Sequence, residues 1–166
     1  MKKQLLALAV LIITALSAGA TGPNDTRVRN WSVPATFTSV TVSNNIDIIL
    51  AESSSSLISI EGKSKFVEAV KLEIVNGELR ISGCKSGMCG KVRVYIPVSN
   101  LRAVTVRGTS EVYSMGVLNS PSLTIRIEGH CLVHVKNKGE VLVENDYDHE
   151  IEYVKRNTIK ITNSIL

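Results

Sequence analysis

Along most of this chain apolar side chains return at every second position, in short runs that stop at Gly or Asn. Seven runs share one form: Val40–Asn44, Ile58–Gly62, Leu79–Gly83, Val104–Gly108, Ile125–Gly129, Val141–Asn145 and Ile159–Asn163. Their starts are separated by 18, 21, 25, 21, 16 and 18 residues. Apolar residues two apart lie on one face of a strand. Gly and Asn most readily adopt positive φ, so each strand is predicted to end at a left-handed corner. A strand and corner returning at this interval predicts a β-solenoid or a hairpin-rich all-β domain.

The individual elements follow. Phe37–Val42 and Ile46–Leu50 alternate as strands split by Asn44-Asn45, and Leu57–Ile60 is a third strand after a Ser53–Ser56 loop. Lys63–Val70 has room for a single helical turn. In Leu72–Ile81 the Asn76-Gly77 pair predicts a type I′ hairpin. Its register places Leu72 opposite Ile81 and Ile74 opposite Leu79 on one face, with Glu73 opposite Arg80 on the other. Lys91–Ile96 reads as a strand stopped by Pro97. Val104–Val112 aligns with Ile125–Val133 without gaps at an offset of 21, matching Gly108 to Gly129, Ser110 to Cys131 and Tyr113 to His134. Such residues stacked on one another would fill a thin aliphatic core, in keeping with only two Phe and one Trp in the chain. Ile159–Leu166 reads as a last strand, expected to be covered by folding back or by pairing with another chain.

The N-terminus changes the picture of location. Lys2-Lys3, the apolar stretch Leu5–Leu16 and an Ala18-x-Ala20 site form a cleavable signal peptide over residues 1–20. The polar, aperiodic segment 21–34 reads as a leader, and 35–166 as a single domain. The expected location is the periplasm or the cell surface of a Gram-negative bacterium. Net charge is +4, of which Lys2 and Lys3 contribute two, and charges of both signs alternate along the strands. Neither a nucleic-acid stripe nor a polybasic membrane patch is visible. In an oxidising compartment Cys84 and Cys89, with Gly87 between them, are candidates for a local disulfide. Cys131 shares the parity of Ile125, Ile127 and Val133 and is expected inside.

Candidate chemistry is sparse. His130 and His134 flank Cys131 but point to the opposite face and stand about 13 Å apart on an extended strand, too far to share an ion. Asp146-Tyr-Asp-His-Glu150 lacks the oxygen count and glycine of a calcium loop. No Gly-x-Ser-x-Gly or phosphate-binding loop occurs. No catalytic, metal or cofactor residues are assigned. Tyr113 and His134 form an outward pair at equivalent places, and with Asp146 and Asp148 they are the candidate surface-binding residues.

The order Phe37-Thr-Ser-Val-Thr-Val, Ile46-Asp-Ile-Ile-Leu50, Val75-Asn-Gly-Glu-Leu-Arg-Ile81, Lys91-Val-Arg-Val-Tyr-Ile-Pro97 and Leu101-Arg-Ala-Val-Thr-Val-Arg-Gly108 resembles the auto-transporter adhesin head domain, or GIN domain, of exported Bacteroidetes proteins. The resemblance covers roughly Phe37–Val135 and carries no catalytic or binding residues over. It implies an all-β domain built partly as a β-helix; the fold expected is a right-handed β-helix or β-solenoid-like domain with an antiparallel hairpin in its N-terminal half. Relatives continue through more Ser-Gly rungs, and Asn145 and Asn163 replace the more usual Gly, so a shortened or divergent member is expected. The expected function is a non-enzymatic surface or periplasmic binding module of adhesin-head type. Its partner would be an extracellular or cell-envelope glycan or protein, with a homo-oligomer through the C-terminal strand as a further expectation. The alternatives are a carbohydrate-active enzyme on a β-helix and a self-assembling structural subunit.

Overall fold

Alternation along the chain resolves into two mixed sheets in a computed structural model that describes residues 25–34, 36–84, 90–145, 150–155 and 158–162. Among these residues one sheet runs, in spatial order, β12 (Glu140–Asn145), β10 (Ser122–Glu128), β8 (Ala103–Arg107), β2 (Ser39–Ser43), β6 (Glu78–Ser82) and β5 (Lys71–Val75). The other runs β1 (Thr26–Ser32), β4 (Leu57–Lys63), β7 (Val92–Val98), β3 (Ile46–Glu52), β9 (Ser110–Leu118), β11 (Cys131–Asn137), β14 (Thr158–Thr162) and β13 (Glu150–Lys155). A six-residue helix, α1 (Ser64–Ala69), follows β4 where a single helical turn was expected.

The repeated phrase explains the first sheet. Val40, Leu79, Val104 and Ile125 all lie in it, with Val40 beside both Leu79 and Val104, and Val104 beside Ile125, on parallel strands. Val141 belongs to the same sheet but is shifted by two, pairing with Leu123. From each of β2, β6, β8 and β10 the chain crosses to β3, β7, β9 and β11, which are again neighbours and parallel. Parallel pairing therefore includes the N-terminal half, where an antiparallel hairpin was the feature expected. The Asn76-Gly77 hairpin is present with the predicted register, and both residues have positive φ (52° and 76°).

The core is one cluster drawn from the inner faces of both sheets. Its largest fully buried side chains are all Ile and Leu, including Ile48, Leu79, Ile96, Ile125 and Ile127. Trp31, Phe37 and Phe66 are only partly buried at its margins. The core is thus aliphatic, as the repeat implied. Asn137 is fully buried: its Nδ2 donates to Ser120 O (2.9 Å) and its Oδ1 accepts from Ser120 N (3.0 Å).

Several expectations need correction. The segment expected as a leader contains β1, paired with β4 at seven positions, with Trp31 against the core. An edge strand that is mostly solvent-exposed carries polar residues, so alternation does not reveal it. Pro97 does not stop its strand: β7 continues to Val98, with Pro97 beside Ala51. There β4 no longer pairs with β7, so the missing N–H interrupts no ladder on that side. Ile58–Ile60 and Ile159–Ile161 match the phrase but run antiparallel in the eight-stranded sheet. β14 lies between β11 and β13, so its described residues are covered within the chain, as folding back would do; residues 163–166 of the expected last strand lie outside the described residues. The signal segment 1–20 falls outside the described residues, and among those residues no helix is long and apolar enough to cross a membrane.

Candidate functional site

The outer face of the eight-stranded sheet carries a row of aromatic groups beside a charged network. In-register neighbours place Tyr95 beside Ile49, Ile49 beside Tyr113 and Tyr113 beside His134, a row across four strands. The Tyr113 and His134 rings meet edge to face with centroids 6.4 Å apart. The expected outward pair is thus brought together. Asp146 and Asp148, the other two candidates, lie outside the described residues.

Next to this row is a charged network centred on Asp47. Asp47 sits at an outward position of β3 yet is only 6% exposed, because neighbouring side chains cover it. Its Oδ1 accepts from the Glu111 backbone N–H (3.0 Å) and its Oδ2 lies 3.5 Å from Lys91 Nζ. Lys91 Nζ also donates to Glu111 Oε1 (2.5 Å), and the Tyr113 hydroxyl donates to Glu111 Oε2 (3.0 Å). The Tyr95 hydroxyl donates to Glu61 Oε2 at 3.1 Å. Thr26, Asp47, Glu61, Lys91 and Arg93 border a shallow cleft of about 200 Å³. Lys91 bridges the Asp47 and Glu111 carboxylates, so the face offers rings and fixed hydrogen-bonding groups in place of a free acid–base pair.

The chain matches, over residues 36–152, the family model described as "Putative auto-transporter adhesin, head GIN domain". The chain belongs to this family. Its fold is similar to that of a putative adhesin from Parabacteroides merdae, at 19% identity and a TM-score of 0.59, over 75% of this chain and 53% of that one. A putative adhesin from Parabacteroides distasonis is 14% identical with a TM-score of 0.50, over 74% of this chain and 66% of that one. This GIN-domain chain therefore spans about half the length of the P. merdae protein. No curated protein matches it.

Titration follows from the geometry of the GIN domain's outer face. Burial raises the Asp47 pKa above the ordinary carboxylate value, outweighing the Glu111 N–H and Lys91. The Lys91 ammonium, then the Tyr113 hydroxyl, lowers that of Glu111. The hydrogen bond to Glu111 raises that of Lys91. A carboxyl whose folded pKa is raised opposes folding when ionised, and the penalty disappears as pH falls through that pKa. Asp47→Asn keeps an oxygen for the Glu111 N–H and removes the desolvated charge. The variant should be as stable as the parent or more stable at pH 7, and its advantage should shrink on acidification toward pH 4. Asp47→Ala strands the N–H and should cost about 1–3 kcal/mol. Urea midpoints at the two pH values check both expectations.

Asp47, Lys91, Arg93, Glu61 and Tyr95 were not singled out in the sequence. The signal was nevertheless present. Extending the alignment of Val40–Asn44 with Val104–Gly108 places Asp47 beside Glu111 and Ile49 beside Tyr113. Cys131 is buried and free, and burial pushes its thiol up to about 11. Cys84 is disulfide-bonded, and Cys89 lies outside the described residues.

Proposed function

We propose that this chain is an exported, non-enzymatic binding module of adhesin-head type, at the cell surface or in the periplasm of a Gram-negative bacterium. In this reading the stacked strand pairs coil as a right-handed β-solenoid, and Cys84 pairs with Cys89. The observation that carries the reading is the outer face of the eight-stranded sheet, where in-register strands hold the Tyr95, Tyr113 and His134 rings beside bridged carboxylates. Aromatic rings held rigidly on neighbouring strands add contact area at little entropic cost, as binding hot spots do. Family membership and the fold shared with putative adhesins support a binding role in general.

Arrays of glycans and extracellular-matrix proteins probed with the mature domain test this reading. Retention of a ligand without product release is expected, weakened about tenfold or more by Tyr113→Ala with the fold intact. Release of sugar product from a polysaccharide would favour an enzyme instead. Alkylation of native protein before reduction should leave Cys84, Cys89 and Cys131 all unlabelled; label on Cys89 would remove the proposed pairing.

A further inference from the structure

A second feature lies at the other end of the strands. Asp47 stands at the start of β3, whereas Ser53 follows its end, about 20 Å away along an extended chain. There three loops, from β1 to β2, β3 to β4 and β7 to β8, enclose a cleft of about 610 Å³. This falls within the range of small-molecule sites. The cleft is built and not a gap between loose segments. Ser53 N donates to Val98 O (3.1 Å) and Val33 N to Ser56 O (2.7 Å), which ties the serine loop to both neighbours. Within that loop Ser53 Oγ accepts from Ser55 N (3.0 Å) and Ser55 Oγ from Leu57 N (3.2 Å). Asn100, with φ 58°, turns the third loop.

Its lining is chemically selective. Charged residues make up 20% of the chain, yet the described lining contains none. Phe37, Pro34 and Pro97 supply ring and C–H surface, while Thr36, Ser54 and Asn100 supply hydroxyl and amide groups. An anionic or cationic ligand would find no counter-charge here. A purely apolar ligand would cover the hydroxyls without satisfying them, at a cost. A neutral sugar has both complements: an apolar C–H face for Phe37 and the prolines, and hydroxyls for the serines, threonines and Asn100. We infer that this cleft binds the uncharged sugar units of a carbohydrate, at a site separate from the Asp47 face.

The test is an amide-resolved NMR titration of the mature domain with lactose, cellobiose, maltose and N-acetyllactosamine, alongside a proline-containing tetrapeptide. At least one disaccharide should give saturable shifts at millimolar concentration, confined to amides near residues 33–38, 53–56 and 97–100. Ser54→Trp fills the cleft from an exposed position and should weaken that binding about tenfold or more. Phe37→Ala should do the same, and Ser54→Trp keeps the test decisive if Phe37→Ala fails to fold. Arg126→Ala, in the six-stranded sheet and outside both surfaces, should leave it unchanged; shifts confined to amides of β3, β9 and β11 would instead overturn this inference while leaving the outer-face reading standing. Absence of saturable shifts with all four sugars, shifts elsewhere on the domain, or saturation by the peptide alone would overturn the inference.

Discussion

Ile127→Asp should unfold the domain. Ile127 is fully buried between the sheets and beside Val106 on the neighbouring parallel strand. An unpaired carboxylate there costs about 4 kcal/mol or more, a large part of the stability of a domain this size. Arg126, one residue earlier, points out and pairs with Glu144 (2.9 Å) at a site where both side chains are about half exposed. Arg126→Ala should therefore cost only about 0–1 kcal/mol. Circular dichroism and urea denaturation of both variants check the contrast. Equal damage would mean that the inward and outward assignments of β10 are wrong.

Gly129→Ala should also be strongly damaging for so small a change. A Cβ at Gly129 would stand 2.5 Å from Gly108 N and 2.7 Å from Gly108 O, both backbone atoms of the corner stacked beneath it. Backbone cannot rotate aside as a side chain can, so the two corners would have to separate and the parallel ladder beside them would loosen. About 3 kcal/mol is expected, at the upper end of overpacking costs. Gly77→Ala provides the comparison. Gly77 also has positive φ (76°) but nothing lies within 4 Å of its Cβ position, so only the backbone preference is lost, about 1–2 kcal/mol. A Gly129→Ala protein with the parent's urea midpoint would show that the corners are not in contact.

The same pair of glycines shows what was legible in the sequence. The ungapped match of Val104–Val112 to Ile125–Val133 is a spatial pairing as well as a textual one, since Val104, Val106, Ser110 and Val112 lie beside Ile125, Ile127, Cys131 and Val133. The reason given for the glycines holds only in part. Gly108 has φ 91°, but Gly83 is not left-handed; its Cβ position is 3.0 Å from Asn44 O, so closeness between corners leaves a side chain little room there. Periodicity reports which face a residue occupies and is silent on which strand lies next to it. Hence Ile58 and Ile159 read like the other repeats yet sit on antiparallel strands, and polar β1 gave no signal at all. The outer-face pair Tyr113 and His134 was legible because both belong to the clearest repeat. Asp47 was not, because 64 residues separate it from Glu111 and only the parallel stacking of β3 against β9 joins them.

That stacking is the claim on which both binding surfaces depend, since it sets the Tyr95–Tyr113–His134 row and the loop order around the cleft. Interstrand nuclear Overhauser effects between backbone protons test it most directly. The account predicts contacts of Val106 with Ile127 and of Val112 with Val133, each between parallel strands 21 residues apart. A simple meander would instead place β9 antiparallel beside β10, giving contacts between Ser110–Leu118 and Ser122–Glu128. Finding those contacts, with the Val106–Ile127 and Val112–Val133 pairs absent, would contradict the stacked architecture.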